Sequence, residues 1–175
     1  MFNIGLILGK LAIKEGDLVA DLGCGQFGYF VFKIAPVVGQ TGRVYAVDVL
    51  PPVLEDIKKQ AYLENYPQVR TVWSDLEIFK GTNIESSSVD KALLVNVLSQ
   101  SEKKVDIIRE AVRILKRGGL LLIADWKNDA LLFGPEVDKR LKFEALKQAA
   151  AKLNLTTIEE FEVGENYHAL LLKKM

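Results

Sequence analysis

The sequence predicts an α/β fold, a largely parallel sheet covered by helices on both faces, with one strand reversed late in the chain. Three observations carry this. Apolar, β-branched segments alternate with amphipathic ones along the 175 residues, the pattern of repeated strand–helix–strand units. The strand-like segments read as continuous hydrophobic runs, as strands buried on both faces do. The last two, residues 156–163 and 167–173, are joined only by Gly164-Glu165-Asn166. So short a link closes a hairpin and cannot make a parallel crossover.

The elements follow in order. Residues 2–11 form a short apolar helix weakened by Gly5 and Gly9. Lys14-Glu15-Gly16-Asp17 is a polar turn, and residues 18–22 are a buried strand. A helix from 28 to about 38 carries Pro36 near its end and stops at Gly39. Gln40-Thr41-Gly42 turns the chain into a second strand, 43–49, rich in β-formers. Pro51-Pro52 opens a helix over 53–65, proline being suited to a first turn. The third strand, 69–73, ends at Ser74-Asp75, and a polar loop over 81–88 leads into the apolar run 89–97. Ser101 caps a helix that reaches Leu115, and Arg117-Gly118-Gly119 ends it. A fifth strand spans 120–125, and Gly134-Pro135 precedes a helix over 136–153. No linker or repeat divides the chain, so residues 1–175 are expected to be a single domain.

Composition narrows the function. The 23 basic and 23 acidic side chains cancel, so no net field draws the protein to nucleic acid or to an anionic membrane. With one cysteine, Cys24, there is no internal disulfide and no cysteine-rich metal site. No stretch resembles a signal peptide, and no apolar run reaches the ~18 residues that span a bilayer. The expected setting is cytoplasmic, the expected partner a small-molecule substrate, with no nucleic acid, no stable membrane insertion and room for a homodimer.

The chemistry gathers at strand ends. Val19-Ala20-Asp21-Leu22-Gly23-Cys24-Gly25-Gln26-Phe27-Gly28 is a strand, an acid, a glycine-rich turn and the start of a helix. Glycines let a ligand approach the main chain closely, and the helix start offers free N–H groups. In open α/β sheets ligands bind at the carboxyl ends of the strands. Here those ends carry Asp21, Asp48, Asp75, Asn96 and Asp125 in succession. One such residue is ordinarily a turn-former; five on one edge make a polar crevice. Asp48 suits a ribose diol, Asp75 an exocyclic amine such as adenine N6, and Asn96 both donates and accepts. The spacing Gly23-x-Gly25-x-x-Gly28, with Asp48 twenty residues after Gly28, also fits a dinucleotide fingerprint. A pyrophosphate on that turn, however, would face the carboxylate of Asp21, whereas a ligand with an ammonium group tolerates it.

On these residues the chain resembles class I S-adenosylmethionine-dependent methyltransferases, particularly the ubiquinone/menaquinone biosynthesis C-methyltransferase-like (type 11) group. The matching segments are Val19–Gly25, Val44-Tyr45-Ala46-Val47-Asp48, Ser74-Asp75-Leu76, Ser88-Val89-Asp90 leading to Asn96-Val97-Leu98, and Arg113–Gly119. Asp125-Trp126, Gly134-Pro135 and Tyr167-His168 also fit. The resemblance implies a Rossmann-like sheet of seven strands ordered 3-2-1-4-5-7-6 with strand seven antiparallel, and S-adenosyl-L-methionine as cofactor. It implies that Asp21, Gly23 and Gly25 cradle the methionine part with Cys24 as a small side chain of the same loop. Asp48, followed by Val49, would hold the ribose, Asp75 and Leu76 the adenine, and Asn96 would lie beneath the sulfonium. One departure stands out: the family usually reads Gly-x-Gly-x-Gly, and here Gln26-Phe27 separates Gly25 from Gly28.

The implied reaction is in-line methyl transfer to a small-molecule acceptor, in which alignment and water exclusion do most of the work. A base is needed only where the acceptor keeps its proton at neutral pH, and Asp125 and His168, the single histidine, are the catalytic candidates. No convincing metal ligand set is present beyond the strand-end acids. Two other readings stay open at this point: a binding protein that holds S-adenosylmethionine without independent turnover, and an NAD(P)-dependent oxidoreductase resting on Gly23, Gly25, Gly28 and Asp48.

Overall fold

A computed structural model describes residues 3–127 and 134–175. Seven strands form one sheet in the order β3-β2-β1-β4-β5-β7-β6. They are β1 (Leu18–Leu22), β2 (Arg43–Asp48), β3 (Val69–Trp73), β4 (Val89–Val95), β5 (Leu115–Trp126), β6 (Leu155–Gly164) and β7 (Tyr167–Lys174). β1 to β5 run parallel, and β7 is antiparallel to both β5 and β6. The short link after β6 therefore turns the chain back, as its length requires.

Successive strand residues face opposite sides of the sheet, and each side has its own helices. Val19, Val44, Ala46, Leu93 and Leu122 pack against α1 (Ile4–Leu11), α2 (Tyr29–Val38) and α3 (Pro51–Leu63). Ala20, Leu22, Val47, Leu94 and Leu121 pack against α4 (Lys104–Ile114) and α5 (Phe143–Lys152). Phe2, where the sequence starts the first helix, lies outside the described residues. Among those residues no helix is long and apolar enough to cross a membrane.

Four expectations change. Ser101 does not cap α4. A 3-10 turn over Leu98–Gln100 intervenes, and the Ser101 hydroxyl accepts from Lys103 N (2.9 Å) while donating to Glu77 (2.6 Å). The helix starts at Lys104. Arg117-Gly118-Gly119 is not a simple stop, because β5 begins at Leu115 and absorbs these residues in a bulge. Val89 pairs with Leu115 but Lys91 with Leu120, and Gly118 takes a φ of 79° there. The expected helix over 136–153 is broken. A 3-10 turn at Val137–Lys139 precedes an extended step at Arg140, which buries Leu141 before α5 begins. Finally, β2 and β4 end at Asp48 and Val95, one and two residues earlier than their apolar runs suggest.

Candidate cofactor site

The carboxyl ends of β1 to β4 open into a cavity of about 990 Å³. Its floor is set by the turn after β1. The N–H groups of Gly23 and Cys24 both donate to Val47 O (2.8 and 2.9 Å), which folds the chain sharply back over β2. Gly23 has φ 85°, and a Cβ there would sit 2.5 Å from Val97 Cγ2. Gly25 has φ 65° and no atom within 4 Å of where its Cβ would lie. That open space is the cavity, so the main chain at Gly25 is bare toward a ligand. Gly28 differs: a Cβ would meet Ile57 Cδ1 at 2.3 Å, so this glycine lets α2 pack on α3.

Of the Gln26-Phe27 departure, Gln26 joins the cavity lining and Phe27 turns outward. Phe27 is 60% exposed and packs on Tyr29 with ring centroids 5.4 Å apart. The wall on the Gly25 side is unaffected, because Asp48 holds it. Asp48 Oδ2 accepts from Gly25 N and its Oδ1 from Leu50 N, each at 3.1 Å. One carboxylate thus fixes the loops after β1 and β2. Val49 O in turn accepts from Trp73 Nε1 (2.9 Å).

Asp21 stands behind the glycines, 1% exposed, and its Oδ2 has no partner among the described residues. Burial, and then the charge of Asp48, push its carboxyl up to about 7. Burial also pushes the Cys24 thiol up, so it remains an inert small side chain. On the β3 side Asp75 Oδ1 accepts from Glu77 N (2.9 Å), while Ser74 is buried with its hydroxyl unpartnered among the described residues. Leu76 is 8% exposed beside them. At the end of β4, Asn96 adopts a left-handed φ of 56°, a strained state that clusters at functional sites. Its N–H donates to Ala124 O (2.9 Å), its carbonyl accepts from Gln100, and its carboxamide hydrogen-bonds Tyr167. Asn96 Oδ1 is buried without a partner among the described residues.

The cavity lining therefore includes Asp21, Gly23, Cys24 and Gly25, together with Asp48, Val49, Asp75, Leu76 and Asn96. It includes neither Asp125 nor His168. Asp125 is 0% exposed inside β5, accepting from Ser99 N (3.0 Å) and Trp126 N (2.8 Å), with its carboxyl raised by burial. His168 pairs with Glu160 Oε1 (2.8 Å) and sets its ring edge against Phe143. Several lining residues escaped sequence reasoning, Ser74, Ile4 and Tyr167 among them. Ser74 was seen only as the residue before an acid, and Ile4 of α1 carries no local signal. Tyr167 and His168 must face opposite sides of β7 by the two-residue period, but the sequence does not say which one meets the ligand edge.

The polar edge suits S-adenosylmethionine. Among the described residues it offers an acid with one unpartnered oxygen beside bare backbone, an acid preset by two N–H groups, and further unpartnered oxygens at Ser74 and Asn96. Among the described residues no group of three or more His, Cys, Asp or Glu is placed to hold a metal ion.

Comparison with known proteins agrees with the geometry. Residues 13–169 match the family described as a methyltransferase domain. A 2-phytyl-1,4-naphtoquinone methyltransferase of Trichormus variabilis is 31% identical over 113 residues, 65% of this chain and 48% of that protein. The matches cover 34%, 57% and 48% of three curated relatives, so the chain spans between a third and somewhat over half of their length. A SAM-dependent methyltransferase from Aquifex aeolicus superposes with a TM-score of 0.87 over 99% of this chain and 90% of that one, at 20% identity.

Proposed function

Since the chain belongs to the methyltransferase-domain family, we propose that it binds S-adenosylmethionine and transfers a methyl group from it to a small, largely apolar acceptor. The observation that carries this reading is Asp21, a buried acid directly behind the glycine turn whose Oδ2 has no partner among the described residues. An ammonium group satisfies it, whereas the pyrophosphate of a dinucleotide would be repelled by it and by Asp48.

When bound, the cofactor supplies a methyl group on a positively charged sulfur, already activated for displacement. The protein's residues align and shield. Asp48, which keeps Gly25 in place, would accept the ribose hydroxyls; Asp75 and Leu76 would hold the adenine, and Asp21 with the Gly23–Gly25 backbone the amino-acid end. Asn96 marks the sulfonium end of the crevice. An electron pair of the acceptor would displace the methyl carbon from sulfur, giving S-adenosylhomocysteine, and any proton the acceptor loses would pass to solvent.

The surroundings of Asp125 and His168 argue against base roles. Asp125 spends its carboxylate on the turn after β4, and His168 ties β7 to β6. A general base contributes about 10²–10⁴-fold to rate; His168→Gln should instead keep methyl transfer within roughly tenfold of wild type. A loss of a thousandfold in steady-state assays would restore the histidine as base.

S-adenosylhomocysteine should raise the melting temperature and NADH should not; a ligand at 100 times its Kd adds about 2.7 kcal/mol. Stabilisation by NADH alone would overturn the reading in favour of an oxidoreductase. Asp48→Ala should weaken S-adenosylhomocysteine by about 1.5–3 kcal/mol, the worth of hydrogen bonds to a charged group. Unchanged affinity in calorimetry would mean the ribose is held elsewhere. Turnover has its own test, methyl transfer from labelled cofactor to a metabolite extract. Binding without labelled product would leave a cofactor-binding protein.

A further inference from the structure

The strand order divides the cavity. Ends of β3, β2, β1 and β4 carry the residues assigned to adenine, ribose and the amino-acid part, in that spatial order. Beyond β4 the lining continues with Tyr167, the first residue of β7, and with Ile4 of α1. These two come from distant parts of the chain, and a backbone contact brings them to one place. Asn3 N–H donates to Val163 O (3.0 Å), at the end of β6, and the next residue, Gly164, pairs with Tyr167 across the hairpin. The register shifts between Glu162 and Gly164, a bulge of the kind that re-aims a side chain beside a site.

We propose that Ile4 and Tyr167 form the selectivity wall of the acceptor subsite, and that it takes a flat, apolar ring. This rests on the assignment of the β3-to-β4 part of the cavity to the cofactor.

Three observations support it. The Tyr167 ring is braced from behind by Trp126, its cross-strand partner, with centroids 4.5 Å apart. Trp126 is backed by Gly134, where a Cβ would come within 2.6 Å of the indole. A braced aromatic face is a rigid surface on which another ring packs at little entropic cost. The Asn96 carboxamide fixes the phenol, and burial, with the charge of Asp125 next, raises the Tyr167 pKa, so the ring stays neutral beside an apolar guest. Ile4 is half-buried: it packs on the core cluster that also takes in Tyr167, and its remaining surface lines the cavity, while Ile7 and Leu11, both 0% exposed, anchor α1 further along.

The test uses the whole chain and two calorimetric titrations: S-adenosylhomocysteine alone, then naphthol into protein saturated with it. Wild type should bind both. Ile4→Trp, which fills the subsite from a half-exposed position, should lower naphthol affinity at least about tenfold and leave S-adenosylhomocysteine within about twofold, as expected for separate sites. Tyr167→Leu should do the same, and Tyr167→Phe, which keeps the braced ring, should restore naphthol binding. Naphthol affinity unchanged in both Ile4→Trp and Tyr167→Leu would overturn the proposal. So would a wild type that binds S-adenosylhomocysteine but no naphthol. A wild type that binds neither would sink the cofactor assignment itself.

Discussion

Asp21→Asn should bind S-adenosylhomocysteine at least about tenfold more weakly than wild type, since hydrogen bonds to charged groups are worth about 1.5–3 kcal/mol, and yet melt at a higher temperature at pH 8. The carboxyl is buried, its Oδ2 has no partner among the described residues, and its pKa in the folded chain is about 7 against an ordinary 3.8. Because the folded state holds this proton more tightly than the unfolded state, the associated stability is fully present below pH 3.8. It is lost as the pH rises to about 7, and above that the free protein carries a buried anion beside Asp48. Asparagine removes that anion at small steric cost. The same charge is what an incoming ammonium group pairs with, so cofactor affinity and free-protein stability move in opposite directions through neutral pH. Calorimetric melting at pH 5 and pH 8 checks this. The advantage of Asp21→Asn should be confined to the higher pH, and an equal difference at both would refute the buried-anion account.

Glu110→Ala should cost stability on the order of 3–5 kcal/mol, the usual result of breaking a buried ion pair from one side. Glu110 is 0% exposed on α4 and accepts from Lys80 N (2.8 Å), Thr82 N (3.1 Å), the Thr82 hydroxyl and Arg113 (Nε 2.9 Å, Nη2 2.7 Å). Arg113, itself nearly buried, continues to Ile84 O and to Ser86. Together they clamp the loop between β3 and β4, whose start supplies Leu76 and Glu77 to the cavity. Burial alone would raise the Glu110 carboxyl, but these donors hold it at about 2. Its contribution is therefore present above pH 4.5 and lost as the pH falls through about 2. Urea unfolding at pH 7 measures the effect; a midpoint shift equivalent to less than about 1 kcal/mol would assign the clamp to decoration.

The sheet was legible because its strands are dense in Val, Leu, Ile and Ala between glycine and proline breaks; β1 and β3 were located to the residue. The reversed strand followed from the length of a single link. The break before α5 was not legible, since residues 136–153 keep a helical pattern and only the burial of Leu141 by the folded sheet decides against it. The clamp was hidden for a related reason. Glu110 and Arg113 at i and i+3 look like a solvated helix pair, and only the return of the loop over α4 buries them. At the site, the strand-end acids were visible as a series, but their individual states were not. Asp125 and Asp21 are both short acids at apolar strand ends. Whether such an acid is satisfied by a neighbouring turn depends on the fold: Ser99 N–H reaches Asp125, while Asp21 Oδ2 has no partner among the described residues.

The position of β7 bears on how the chain reaches its native state. It is the last strand in chain order, yet it lies between β5 and β6. A nascent chain that has made β6 but not β7 leaves the edge of β5 unpaired, and from Leu121 to Ala124 that strand is wholly buried in the finished sheet. An open apolar edge is a template for association between chains. Insertion of β7 is therefore the step that ends vulnerability to aggregation during synthesis. Substitutions within Ala169–Leu172 should appear first as poor yield of soluble protein, with cofactor affinity intact in the fraction that folds.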